Sequence, residues 1–291
     1  MSTATQRWTV GDTTITSVVE DEIAHIPPEF FFPAATAAAV AAHPWVLDDY
    51  ADPDGNITLR VQALVVQSGA RTVLVDPCVG NFKDLLLPFW ANQEWPFMER
   101  FADAGFTPAA IDTVLHTHVH ADHIGWDTHL VDGAWVPTFT GARHLYTAGE
   151  LEFARVTEDD PHMRYAYRDS IRPILDAGLA DEVADDADLG DGLRLESSPG
   201  HTPGHVSLWI ESAGERALVT GDFMHHPVQF AEPDWAEVGD ADVDVARATR
   251  HRMVRVAAES GALVIGTHFP NRPAGRVVAD GEQWRFVPEP A

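Results

Sequence analysis

Hydrophobic and polar positions change period along this chain, and the changes mark out its elements. Residues 8–20 alternate closely enough, through Thr14, Ile15, Thr16, Ser17, Val18 and Val19, to predict a strand or hairpin. Pro27, Pro28, Phe30, Phe31, Phe32 and Pro33 end that alternation, and the alanine-rich stretch 34–42 after them predicts a helix. The turn signal Asp52-Pro53-Asp54-Gly55-Asn56 introduces two apolar runs, 57–67 and 71–76, read as a hairpin leading into a buried strand. Residues 85–106 are predicted helical, interrupted at Pro88 and Pro96. The β-branched run 111–115 predicts another buried strand.

Further along, 138–146 predicts a strand, 147–156 a helix, and 164–177 a helix disturbed by Pro173. The acidic stretch 181–191 is expected as a solvated turn region, and 193–196, 206–210 and 217–220 as short strands. Residues 242–261 predict the longest helix, with Gly261 as its C-cap, before a last buried strand at 263–265. Strands in groups mixed with helices, with no internal repeat and no Ser- or Gly-rich linker, predict one layered α/β or α+β domain over 1–291. Residues 1–50 are expected to be partly an N-terminal extension or flap.

Composition narrows the partners. The 291 residues carry 45 Asp and Glu against 19 Lys and Arg, a formal charge of −26, so nucleic acid and anionic membrane surfaces are expected to be repelled. Lys83 is the only lysine, and Cys78 the only cysteine, which rules out an intrachain disulfide or a cysteine-built zinc site. With no basic-then-apolar leader and no run near the roughly 18 apolar residues of a span, a cytoplasmic location is the expectation.

The chemistry concentrates after the strand at 111–115, in His116-Thr117-His118-Val119-His120-Ala121-Asp122-His123. If extended geometry persists to His120, a period of two puts His118 and His120 on one side. Asp122 and His123, past a turn, would aim at a neighbouring point, so one pair serves one cation and the other pair a second. Imidazole nitrogen and carboxylate oxygen suit zinc, and also manganese, iron or cobalt. Three more segments repeat the strand-then-ligand pattern: Pro199-Gly200-His201-Thr202-Pro203-Gly204-His205, Thr220-Gly221-Asp222 and Gly266-Thr267-His268.

Together these motifs, from Leu64 to Phe269, resemble the metallo-β-lactamase superfamily. The resemblance implies a four-layer αββα sandwich with two divalent metal ions at one edge of its sheets. It implies that His118, His120 and His201 bind one ion, that Asp122, His123 and His268 bind the other, and that Asp222 bridges them. Asp76 would orient a ligand histidine, and His205 would do the same or hold its own loop. Gly125-Trp126-Asp127-Thr128, the text from Gly221 to Gln229, and Thr267-His268-Phe269-Pro270 resemble the branch of methyl parathion hydrolase and the N-acyl-homoserine lactonases. Cys78 and His116 are not counted as functional, and no counterpart is found for the tyrosine that assists some of those lactonases. A homodimer is expected from the resemblance alone.

The implied reaction is hydrolysis of a lactone or ester by a hydroxide shared between the metals, with Asp222 carrying the proton and Asp122 beside it, and organophosphate triesters as a side activity. The substrate is expected to be small and hydrophobic, in a pocket walled by Phe30, Phe31, Trp45, Trp90, Trp95, Trp126, Phe223, His225 and Phe269. The alternatives are thioester hydrolysis of the glyoxalase II kind, or a mononuclear iron persulfide dioxygenase. The near absence of lysine weighs against a glutathione carboxylate grip, and the complete second ligand set against the dioxygenase.

Overall fold

The computed structural model describes residues 5–289 other than Asp48, and of Tyr165 the backbone alone; the first four positions of the polar N-terminus lie outside the described residues. The chain runs through β1 (Gln6–Val10), β2 (Thr13–Ile26), β3 (Ile57–Ser68), β4 (Arg71–Val75), β5 (Thr113–Leu115), a small hairpin of β6 (Thr128–Val131) and β7 (Ala134–Pro137), β8 (Arg143–Thr147) and β9 (Ala180–Val183). The second half adds β10 (Asp188–Gly190), β11 (Leu193–Ser197), β12 (Val206–Ser212), β13 (Glu215–Val219), β14 (Leu263–Ile265), β15 (Ala274–Asp280) and β16 (Gln283–Pro288). Helices are α1 (Ala37–Ala41), α2 (Pro44–Leu47), α3 (Phe97–Asp103), α4 (Ala121–Ile124), α5 (Ala148–Val156), α6 (Arg164–Ala166), α7 (Arg172–Asp176) and α8 (Val243–Ser260). One sheet is ordered β1-β2-β3-β4-β5-β8-β9, the other β10 through β16 in sequence order.

Strand alternation sorts the side chains into layers. In β3, Leu64 and Val66 point into the space between the sheets, where they meet Leu208 and Ile210 of β12 and Val219 of β13. Their neighbours Ala63 and Val65 face outward, onto Phe97 and Phe101 of α3. In the second sheet Leu218, Val264 and Trp209 face the other way, onto Met253, Val254 and Ala257 of α8. The result is helix, sheet, sheet, helix: the αββα sandwich. Truncating a residue of the central layer such as Leu208 to alanine would cost about 2–5 kcal/mol.

Local chemistry explains most boundaries. Asp242 caps α8, its side chain accepting from the Asp244 and Val245 amides, and Gly261 closes the helix at φ 63°. Pro173 acts as predicted, and residues 167–171 wind as a π turn immediately before it. Because Pro173 offers no N–H, the Asp169 carbonyl four residues back is free to accept from Lys83 Nζ and the Thr128 hydroxyl instead.

Other expectations need correction. The acidic stretch 181–191 contains β9 and β10, which are sheet edges, and edge strands rich in charge resist further pairing. Only Phe97–Asp103 of 85–106 is helical, since Pro88 and Pro96 leave the earlier part as turns. Within residues 5–50, β1 and β2 belong to the first sheet, and Phe32 is buried against Trp235 with ring centroids 6.4 Å apart.

Candidate functional site

Each segment singled out by sequence emerges from the same end of the sandwich. β4 and β5 run parallel, as do β13 and β14, and two successive antiparallel pairings give β11 the direction of β13. Asp76, the histidine cluster, the His201 loop, Asp222 and His268 therefore all follow strand C-termini at one edge. β5 ends at Leu115, so the alternation that aligns His118 with His120 continues beyond the ladder, with His120 still extended at φ −67°, ψ 157°. α4 then presents Asp122 and His123 from its first turn.

The side chains converge in two overlapping groups. His120 Nδ1 lies 3.1 Å from His118 Nε2 and 2.8 Å from His201 Nε2. On the other side, His123 Nε2 lies 3.2 Å from His268 Nε2, with Asp122 Oδ2 3.7 Å from the first and 3.5 Å from the second. Asp222 Oδ2 sits between them, 3.6 Å from His201 Nε2, 3.3 Å from His123 Nε2 and 3.1 Å from His268 Nε2. His225 joins this set, its Nε2 3.1 Å from the same oxygen.

These residues fit cations. A tetrahedral ion bound at 2.0–2.1 Å has ligand-to-ligand edges of about 3.3–3.4 Å, in the middle of the observed spacings. Burial, with neighbouring imidazoles, pushes His118 and His120 far below the usual histidine value, so both present lone pairs inward. On the other side burial opposes the charge of His123 and His268, yet Asp222 and Asp122 outweigh it and raise both, so the carboxylates demand positive charge here. Asp222 Oδ1 is buried with no hydrogen-bond partner among the described residues, a lone pair awaiting one.

The surrounding bonds fix the rings. Asp76, in a left-handed conformation at φ 50°, accepts from the Thr117 amide at 2.8 Å and hydroxyl at 2.7 Å, and its Oδ2 lies 3.0 Å from His123 Nδ1 as an ion-pair contact, off the direction of a hydrogen bond. His268 Nδ1 donates to the Arg60 carbonyl at 2.7 Å. His201 Nδ1 meets Asp240 Oδ1 at 3.2 Å, and Asp240 in turn accepts from buried Arg250 at 3.1 Å. His205 does not touch a ligand imidazole in this way. Burial holds it neutral, pushed down to about 3, and its Nε2 accepts the Asp222 amide at 2.7 Å. Gly221 must be glycine for that approach: at φ 56°, a Cβ there would stand 2.5 Å from His205 Nε2.

A cavity of about 680 Å³ opens onto this cluster, with Asp122, Asp222, His120 and His225 at its floor. Of the wall candidates, Phe30, Phe31, Trp90 and His225 line it. Trp45, Trp95, Trp126, Phe223 and Phe269 do not. Phe223 and Phe269 follow Asp222 and His268 directly and point the opposite way, into the layer beneath α8, where Phe269 meets Phe286 at 5.3 Å. Trp126 stacks on Phe97 at 5.4 Å and donates to Glu20. Trp95 and Trp45 pack against the outer cores. The walls that sequence reasoning missed are Ile23, Leu59, Val61, the run Leu85–Leu86–Leu87, Phe89 and Met163. Three successive leucines beside Pro88 were the available signal, since such a run cannot lie on one helix face.

His116, set aside above, sits in a second buried cluster. Its Nε2 is 2.9 Å from Asp127 Oδ2, His144 Nδ1 is 3.1 Å from Asp127 Oδ1, and the Tyr146 hydroxyl donates to Oδ2 at 2.9 Å. His116 Nδ1 faces the Leu145 carbonyl at 3.0 Å, so this group ties β5 to β8.

An N-acyl homoserine lactonase AttM from Rhizobium johnstonii is 29% identical over 224 residues, 75% of this chain and 79% of the relative. An N-acyl homoserine lactonase from Bacillus thuringiensis is 25% identical over 56% of this chain and 58% of its own length. Among solved structures, the hydrolase AbOPH of the beta lactamase superfamily superposes with a TM-score of 0.82 at 21% identity, covering 100% of this chain and 99% of that one. AidC, a dizinc quorum-quenching lactonase in complex with a hexanoyl homoserine product, gives 0.79 at 20% identity, covering 99% and 98%. The family model described as metallo-beta-lactamase superfamily matches residues 57–267, and the chain belongs to that superfamily.

Proposed function

We propose that this lactonase-like metallo-hydrolase opens a lactone or cleaves an ester bearing an apolar acyl or aryl group, with neutral organophosphate triesters as a side activity. The observation that carries the reading is the adjacency of a largely aliphatic and aromatic cavity to a converging set of histidines and aspartates. His118, His120 and His201 would hold one divalent cation, Asp122, His123 and His268 a second, and Asp222 would bridge them. Zinc is the first choice; manganese, iron and cobalt suit the same donors. Such a pair supplies Lewis acidity and an acidified water.

The chain's own groups do the rest. Asp222, with Oδ1 uncommitted, is placed to take the proton of the attacking water and pass it to the leaving alcohol. Asp122 lines the cavity at the same floor and offers a second carboxylate for that transfer. His225 steadies Asp222 Oδ2 and presents its ring to the substrate. Phe30, Phe31 and Trp90 strip water from the acyl or aryl group. A homodimer is part of the proposal, to be read from sedimentation.

No Lys or Arg lines the cavity among the described residues, which favours a neutral substrate over a glutathione thioester with its carboxylates. Two complete donor sets favour hydrolysis over the mononuclear iron reading. The test is turnover by the zinc-loaded protein of N-acyl lactones, aryl esters, an organophosphate triester and S-lactoylglutathione. Lactones or esters are expected to lead, and turnover of the glutathione thioester alone would overturn the proposal.

A further inference from the structure

The two loops that supply His118, His120 and His201 come from different sheets, and something must hold their spacing. β5 of the first sheet delivers His118 and His120, while the 198–205 loop between β11 and β12 of the second delivers His201. The ligand atoms of His120 and His201 are nonetheless 2.8 Å apart. A site of this kind tolerates displacements of only about 0.5 Å.

Between the loops lies Glu150, a fully buried carboxylate at the third position of α5. Thr147 caps that helix by accepting the Glu150 amide, but the Glu150 side chain does not fold back onto the cap. It reaches outward instead. Oε2 accepts the amide of Val119 at 2.9 Å, the residue between His118 and His120, and Oε1 accepts the amide of Gly204 at 2.8 Å, three residues after His201. The Thr147 hydroxyl donates to the Gly204 carbonyl at 2.8 Å, so both backbone polar groups of that residue are held by one helix end. The approach leaves no room for side chains: a Cβ on Gly149 would lie 2.7 Å from the Gly204 Cα, and one on Gly204 2.5 Å from the Glu150 amide.

We infer that Glu150 is a positioning residue, a carboxylate tie that sets the distance between the two histidine-bearing loops and thereby the affinity of the site for metal. The inference rests on the metal-binding reading above. A carboxylate is required because two N–H donors arrive from two directions and both need an acceptor; a carboxamide offers only one oxygen. Aspartate is one methylene short of spanning both loops.

The test is zinc affinity, measured by competition with a chromophoric chelator on wild type, Glu150→Gln and Glu150→Asp, together with the visible spectrum of the cobalt-substituted proteins. Both variants are expected to bind more weakly by about tenfold or more, as loss of groups that orient ligands usually gives, with altered cobalt bands. Ser68→Ala serves as the matched control. It removes a buried hydrogen bond to Thr13 and a part-buried one to the Asp191 carbonyl at the β3–β4 turn, the end of β4 remote from Asp76, and is expected to lower the melting temperature without moving zinc affinity or spectrum. Wild-type affinity and bands in a folded Glu150→Gln protein would overturn the role of Glu150 alone. Absence of zinc binding by the wild type would overturn the metal reading and this inference with it, and a Ser68→Ala protein that lost zinc equally would reduce Glu150 to a general stabiliser.

Discussion

Asp222 Oδ2 and His268 Nε2 lie 3.1 Å apart although they are 46 positions apart in the chain, and the same oxygen faces His123 and His201. One carboxylate atom thus belongs to both halves of the cluster. Asp222→Asn keeps the volume but removes the charge and one acceptor. It is expected to lower kcat/KM by at least about 10²-fold, the scale of a lost proton-transfer group, and to reduce zinc content below that of wild type. Steady-state kinetics with metal analysis on the same preparation checks both.

Stripping the metal should cost stability as well as activity. The inward lone pairs of His118 and His120 and the carboxylates beside His123 are favourable only when a cation compensates them. Exhaustive chelation is expected to abolish turnover and lower the melting temperature, with zinc restoring both. Free zinc at about 100 times its Kd would stabilise the fold by about 2.7 kcal/mol. Calorimetry before and after chelation reads the difference, and undiminished turnover would remove the metal from the mechanism.

The sequence made His118, His120, Asp122, His123, His201, Asp222 and His268 legible because each ends a strand or follows one at short range. The strands themselves were visible as apolar runs, and Asp242 to Gly261 as a capped helix. Asp240 and Glu150 were not legible. Each acts across more than thirty residues on a loop of another element, through a backbone amide or the outer nitrogen of an imidazole, and no spacing encodes that. Pocket walls failed for a different reason. An aromatic residue next to a ligand is an attractive wall candidate, but the turns just past β13 and β14 send the ligand and its neighbour in different directions, and Phe223 and Phe269 enter the core. The hairpin of β15 and β16 was overlooked although Asp280-Gly281 is a turn signal.

The cavity walls predict a dependence on acyl length. Each methylene transferred from water to an apolar surface is worth about 0.8 kcal/mol, or roughly fourfold in affinity. KM for N-acyl lactones is expected to fall by up to that factor per added methylene until the cavity is filled. Trp90→Ala should raise KM for long chains more than for short ones while leaving kcat nearly unchanged. Phe269→Leu, by contrast, should lower the melting temperature and leave the chain-length profile alone, because its ring packs on Phe230 and Phe286. Equal chain-length profiles for wild type and Trp90→Ala would place the acyl group elsewhere.

Lys83 supplies a pH dependence of stability separate from the metal cluster. It is buried, its Nζ bonded to the Thr128 and Ser170 hydroxyls and the Asp169 carbonyl and lying 3.7 Å from the centre of the Trp135 ring. Burial pushes it down from 10.5 to about 7, against the pull of Asp169 and Asp127. Between these two values the unfolded chain binds more protons at this position than the folded one, so the Lys83 contribution to stability increases as pH rises through the window. The slope is at most about 1.4 kcal/mol per pH unit. Below pH 7 both states are protonated and the dependence vanishes, leaving the full cost of burying the charge. Lys83→Met should therefore show a stability difference from wild type that is constant at acid pH and shifts steadily in favour of wild type from about 7 to 10.5. Chemical denaturation at closely spaced pH values measures this directly, and a difference that stays flat through the alkaline range would mean that Lys83 keeps an ordinary lysine titration inside the fold.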